Sequence, residues 1–172
     1  TKANYAAANP ATGGHLANLN LPSMAKFNCA GSCSFTRVVR NTLSTRQTWT
    51  GKVQGLSALV SPSLFTLNPG ETKSIKITVS TNGLPQTGAF NFGKLVLTPS
   101  GGDASQPVLR LPIAVAVQPP KLDATPAATA LSLPAGGTGS VALRIGNIGG
   151  SNLDWQIDNT GVGGRTLVAQ AP

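Results

Sequence analysis

Acidic residues are scarce in this chain, with five Asp and Glu among 172 residues against thirteen Lys and Arg. Histidine is scarcer still. The single one, His15, lies in ATGGHLA among small residues, and the nearest carboxylate along the chain is Glu71. A local serine–histidine–aspartate arrangement is therefore absent, and catalysis by the chain itself is not expected. Five scattered carboxylates are too few for a dedicated calcium site, and no cofactor or metal is expected. The longest apolar run, about residues 111–117, is far short of the roughly 20 residues a membrane-crossing helix requires. No basic-then-apolar leader follows Thr1, so the chain is expected to be a piece cut from a longer exported precursor.

Only two cysteines are present, Cys29 and Cys33, framing Ala-Gly-Ser. Zinc would need two further ligands, of which His15 is the only other soft donor, and the spacing is not that of a C-x-x-C redox motif. A structural disulfide across a tight turn remains, which implies an oxidising compartment.

Aromatic residues are few and no apolar pattern at helical spacing is sustained, whereas Gly (20) and Pro (13) are frequent. Many short strands fit this composition, and the chain is expected to be all-β. The clearest stretch is SPSLFTLNPGETKSIKITVS, residues 61–80, which reads as a hairpin. Leu64, Phe65 and Leu67 form its first strand and Asn68-Pro69-Gly70 its turn, and Ile75, Ile77 and Val79 form a buried face opposite Ser74, Lys76 and Thr78. Around it lie an edge strand from Leu19 to Phe27 broken by Pro22, and Ser34 to Asn41, with Thr36 and Val38 expected inward. Arg46 to Val53 follows with Trp49 as a core anchor, then Leu56 to Val60 and Phe90 to Thr98. Val108 to Val117 has Leu109, Leu111, Ile113, Val115 and Val117 on one face. Seven or more strands in about 100 residues suit an immunoglobulin- or fibronectin-III-like β-sandwich.

The expected division is a connecting arm (1–17), a sandwich (18–118), a Pro-rich linker (119–121) and a second, partial immunoglobulin-like β-sandwich unit (122–172). Strands in that last unit are expected at Leu131/Leu133, Val141/Leu143/Ile145 and Leu153/Trp155/Ile157, with Trp155 as its anchor and Thr166 to Ala169 as a short fourth strand. Three strands with one apolar face are barely stable alone, so self-association through 122–172 is expected. The glycine clusters Gly136-Gly137-x-Gly139 and Gly161-x-Gly163-Gly164 read as turns, since neither opens a helix.

Basic residues concentrate in the first sandwich, where nine Lys and Arg face Glu71 and Asp103. Arg37, Arg40, Lys52 and Lys76 are candidates for a basic face toward an anionic partner. With no run of adjacent charges and little interleaved aromatic character, a solvated face is the plainer reading, and nucleic acid is not the expected ligand.

In order along the chain stand NYAAANPATGGHLANLNLPSMAKFN, CAGSCSFTRVVRN, QTWTGKV, VSPSLFTLNPGETKSIKITVS and FNFGKLVLTPSG, then LRLPIAVAV. This series, covering most of residues 4–117, resembles the fibronectin-III-like region that follows the catalytic domain in secreted bacterial subtilisin-like serine proteases. The resemblance implies a parent endopeptidase whose aspartate, histidine and serine lie upstream of Thr1, with no catalytic residue carried by this chain. It implies a secreted or cell-surface location, and a supporting role beside the upstream catalytic domain or in orienting protein substrates. SLPAGGTGSVALRIGNIGGSNLDWQI is similar to the opening of small immunoglobulin-like repeats of secreted bacterial proteins. An adhesion or anionic-polymer-binding module is the alternative.

Overall fold

The computed structural model describes residues 2–100, 106–127 and 130–156. A short helix, α1 (Lys2–Ala7), and two 3-10 turns (Pro10–Thr12 and Leu16–Asn18) precede the first strand. Eight strands then build two sheets: β1 (Met24–Lys26), β2 (Ser32–Arg40), β3 (Gln47–Gln54), β4 (Ala58–Ser61), β5 (Leu64–Leu67), β6 (Thr72–Ser80), β7 (Phe90–Ser100) and β8 (Leu109–Ala116). A five-stranded sheet has the order β1-β8-β7-β3-β5, and a three-stranded sheet the order β2-β6-β4. All pairs in these sheets are antiparallel except β1 with β8. The fold is the expected all-β sandwich.

Strict alternation sends one side chain in two to the interior. Ile75, Ile77 and Val79 of β6 are fully buried, as is Phe35 of β2. From the facing sheet come Leu95 and Leu97 of β7, Ile113 and Val115 of β8, and Phe65 and Leu67 of β5, all buried. Gly51, in the middle of β3, lies on this inner side. A Cβ there would stand 3.1 Å from Val60 Cγ1 and 3.2 Å from Leu97 Cδ2, so a glycine lets the two sheets close over it.

Residues 61–80 do not form the expected hairpin. β5 pairs with β3 in the larger sheet, while β6 pairs with β2 and β4 in the smaller one. The turn at 68–71 is thus a crossing between sheets. It is held by Glu71, whose carboxylate accepts from the Asn68 backbone N–H at 2.8 Å, and Gly70 takes the left-handed conformation (φ 76°). A hairpin and a crossing both need alternating apolar residues on either side of a turn, so periodicity could not tell them apart.

The facing in β2 is also opposite to the expectation. Phe35 and Arg37 point inward, while Val38 is 47% exposed and Thr36 lies on the outer side. Trp49 faces inward across from Phe65, but it sits at the end of the interior and is only half-buried against the core. There it lines an open cavity of about 290 Å³ with Val39, Asn41, Leu97 and Leu109.

The N-terminal arm is helical at Lys2–Ala7, with Tyr5 exposed. The expected edge strand over residues 19–27 contracts to β1, because residues 16–23 turn across the side of the sandwich. Beyond it, β9 (Leu122–Thr125) and β10 (Arg144–Asn147) pair antiparallel. Of the apolar residues expected in strands there, Ile145 lies in β10, whereas Leu131, Leu133, Val141 and Leu143 lie outside strands and are exposed. Trp155 is likewise 43% exposed and outside a strand, so it anchors no core among the described residues, where the paired strands of four residues each offer no second layer for it. Ile157, Thr166 to Ala169 and the glycines at 161–164 lie outside the described residues.

Cys29 and Cys33 are joined in a disulfide, Cα to Cα 5.5 Å, and both are buried in the core. The Cys29 N–H donates to Ala116 O, which ties the β1–β2 connection to β8. Alkylation of the denatured chain without reductant is expected to add no mass. Replacing both cysteines by alanine should cost about 2 kcal/mol in chemical denaturation, the loop-closure entropy of so short a ring. Ile77→Ala should cost about 3–4 kcal/mol, as an emptied core site does. Lys76→Ala, exposed on the same strand, should change stability by less than about 0.5 kcal/mol, and equal losses would refute the facing of β6.

Candidate functional site

The side chain that departs furthest from ordinary sandwich packing is Arg37. It lies in β2 between Phe35 and Val39 on the inward side, paired with Ile75, and is 3% exposed. Among the described residues no carboxylate neutralises it. Its guanidinium donates instead to backbone carbonyls: Nε to Leu21 O at 2.8 Å, Nη2 to Ser23 O at 2.8 Å, and Nη1 to Ala17 O at 2.8 Å and Thr36 O at 2.7 Å. Burial pushes its pKa below the ordinary arginine value, yet a guanidinium stays charged in a protein. The planar fork suits this set of acceptors, which a lysine ammonium cannot reach together.

One residue further along β2, Asn20 completes the attachment. Its side-chain amide donates to Val38 O at 3.0 Å and accepts from Val38 N at 2.8 Å, so it pairs with the free edge of β2 as a neighbouring strand would. Residues 16–23 therefore form a strap. It runs from the free edge of β2 to the start of β1, the outer strand of the other sheet, and covers that side of the sandwich. Ala17 packs against the core beneath it. At the far end of β2, the buried Asn41 donates to Thr45 O at 2.8 Å and Leu67 O at 3.1 Å and accepts from Leu43 N at 3.0 Å.

The four candidate basic-face residues do not share a face. Arg37 is interior, because the strap supplies acceptors for its donors. Arg40 and Lys76 lie on the outer side of the smaller sheet, where Arg40 Nε donates to Gly70 O at 3.2 Å. Lys52 projects from the outer side of the larger sheet, with Lys94 on the adjoining β7 and Arg110 on β8 beyond it. His15 is exposed at the start of the Leu16–Asn18 turn and caps it with no side-chain bond. Among the described residues no three of His, Cys, Asp and Glu gather as a metal site would require, and no helix is long and apolar enough to cross a membrane.

Residues 18–115 match the fibronectin type-III domain family. The chain belongs to that family. A fibronectin type-III domain is non-catalytic. Over 91 residues, 51% of this chain, it is 32% identical to the subtilisin-like protease SBT2.5 of Arabidopsis thaliana. The chain spans 11% of that relative's length. Among solved structures it is similar to the CupB2 chaperone of Pseudomonas aeruginosa, with 13% identity over 54% of this chain and 53% of that one, at a TM-score of 0.43. It is also similar to SSP-19 of Caenorhabditis elegans, an MSP-domain protein like family member, with 17% identity over 56% of this chain and 95% of that one, at a TM-score of 0.40.

Sequence reasoning missed Arg37 as a clasp, since alternation leaves two sets of similar merit in β2 and a charged side chain is by default placed outward, with Thr36 and Val38 inward. The available signal was the pairing of Phe35 and Val39 with it on one side. Arg37→Met in the fibronectin type-III sandwich removes the donors and leaves three strap carbonyls without partners. It should lower stability by about 2–4 kcal/mol in chemical denaturation. Arg37→Lys should recover less than half of that loss, and full recovery would show that the charge alone, without the fork, holds the strap.

Proposed function

We propose that this chain is the non-catalytic accessory region of a secreted bacterial subtilisin-like serine endopeptidase, which holds an upstream catalytic domain in place or orients protein substrates toward it. In this reading residues 1–17 are the connecting arm, 18–118 the sandwich, 119–121 the linker and 122–172 the beginning of an immunoglobulin-like unit that self-associates through its exposed apolar residues. The observation that carries it is the strap. A module trailing on a loose tether has no use for a buried arginine that fixes residues 17, 21 and 23 to the sandwich. A module that must hold its upstream neighbour at a set position does. The 32% identity to a plant subtilisin-like protease over half of the chain supports the same parentage. The disulfide fits export, since such bonds persist in oxidising compartments.

A second reading, an adhesion or anionic-polymer-binding module, is favoured by a separate observation. Strands β1 to β8 contain eight Lys and Arg and not one Asp or Glu.

The accessory reading is tested in the longer polypeptide encoded with this chain. Arg37→Met should shorten its half-life of proteolytic activity on heating several-fold while the initial turnover of a short peptide stays within about twofold, because the reacting groups are untouched. The isolated chain should hydrolyse neither casein nor peptides and should not react with serine-directed phosphonates. An unchanged inactivation rate, or an upstream sequence without a catalytic domain, overturns the reading.

A further inference from the structure

The outer side of the five-stranded sheet is unlike the outer side of the three-stranded one. Along β7 the outward side chains are Phe90, Phe92, Lys94 and Val96. Phe90 is 42% and Phe92 72% exposed, and beside them Phe27, just past β1, is 59% exposed. The three rings touch in a row, Phe27 to Phe90 at 5.9 Å between centroids and Phe90 to Phe92 at 6.3 Å, tilted by 58° and 39°. Together they leave roughly 300 Å² of aromatic surface in water, at the lower end of what marks a contact site. Beyond Phe92 the stripe turns basic. Val96 is flanked in register by Lys52 of β3 and Arg110 of β8, and Lys94 stands one outward step nearer the rings, beside Gln54. Lys52, Lys94 and Arg110 are exposed, and no carboxylate occurs anywhere in the strands of this sheet.

We propose that this face binds an acidic polysaccharide, with the phenylalanines taking the apolar faces of sugar rings and Lys52, Lys94 and Arg110 pairing with its carboxylates. The proposal rests on the second reading above and names its surface and its ligand. Three cations on strands that carry no carboxylate select an anionic ligand, and successive outward side chains of β7 about 6.8 Å apart select an extended one. The rings are tilted to one another, so they offer separate faces to the C–H groups of successive sugars and no parallel stack for successive bases. The disulfide fits an oxidising, extracellular compartment, where a glycan is an accessible ligand.

The experiment is affinity electrophoresis and titration calorimetry of the whole 172-residue chain with polygalacturonate, uncharged dextran and single-stranded oligodeoxythymidine. Retardation is expected with polygalacturonate and not with dextran, weakening steeply between 50 and 300 mM salt. The triple variant K52S/K94S/R110S should abolish it, and F90S/F92S should weaken it about tenfold or more at unchanged salt dependence. K73S/K76S, on the other sheet, should bind as the parent does. Matching denaturation curves confirm that each variant is folded, and single substitutions stand in for any multiple variant that is not. Binding that survives K52S/K94S/R110S but not K73S/K76S overturns the assignment of the face and leaves the polyanion reading standing. No binding to either polyanion overturns both. Oligodeoxythymidine bound as tightly as polygalacturonate, or F90S/F92S without effect, overturns the glycan as ligand.

Discussion

Two sheets, each with one continuous apolar side, must cover one another, and the rest of the sandwich is built around that burial. β6 is the middle strand of the smaller sheet, and Ile75, Ile77 and Val79 are its fully buried contribution. Burying a side chain of this kind stabilises the fold by about 1.5–3 kcal/mol, so the three together are comparable to the net stability of a small domain. The larger sheet answers with Leu95, Leu97, Ile113 and Val115. Because β3 to β7 supply the two sheets in turn, the chain passes between layers at each end of the sandwich, and the turn at 68–71 is one such passage. The sheets have sides as well as faces, and the sides need closing. The strap of residues 16–23 closes the one between β2 and β1.

The strap explains how a charge comes to rest in an apolar interior. A guanidinium taken from water without partners would cost several kcal/mol, and a carboxylate partner would itself have to be desolvated. Backbone carbonyls of a segment that lies there in any case are acceptors already committed to the structure, and those of Ala17, Leu21 and Ser23 would otherwise need other donors. An aliphatic residue at position 37 could fill the volume but could not set the register of residues 17–23 against β2. Asn20 reinforces that register by pairing with both backbone groups of Val38. The strap is thus specified by hydrogen-bond geometry where the core is specified by burial.

This division decides what was legible in the sequence. Alternation over residues 75–79 and 109–117 fixes which side chains lie inside, because period two is the direct signature of a half-buried strand. Alternation is silent about which sheet a strand joins, and so the stretch 61–80 looks like a hairpin when it is a passage between layers. In β2, Phe35-x-Arg37-x-Val39 and Thr36-x-Val38 are two alternating sets of similar merit. The choice depends on acceptors contributed by residues 17–23, distant in sequence and without a pattern of their own. Beyond residue 121 the signal was apolar alternation alone. Among the described residues there, β9 pairs with β10 and the alternating stretches at Leu131/Leu133 and Val141/Leu143 form no strand, so alternation by itself does not make a strand.

The same logic separates the two outer faces. On the smaller sheet, Ser34, Thr36, Ser61, Ser74 and Thr78 accompany Arg40 and Lys76, with Val38 and Leu59 as its exposed aliphatic residues, and Ser34 and Thr78 bond across strands at 3.1 Å. Hydroxyls and long cations are what a solvated β-surface needs, so basic residues there require no ligand to account for them. On the larger sheet the cations Lys52, Lys94 and Arg110 stand beside phenylalanines that neither pack inward nor meet a covering element among the described residues. Water is a poor neighbour for three rings in contact, and positive charge alone would have kept that surface soluble. The aromatic residues, and not the basic ones, are therefore what distinguishes a recognition surface from a merely charged face on this sandwich.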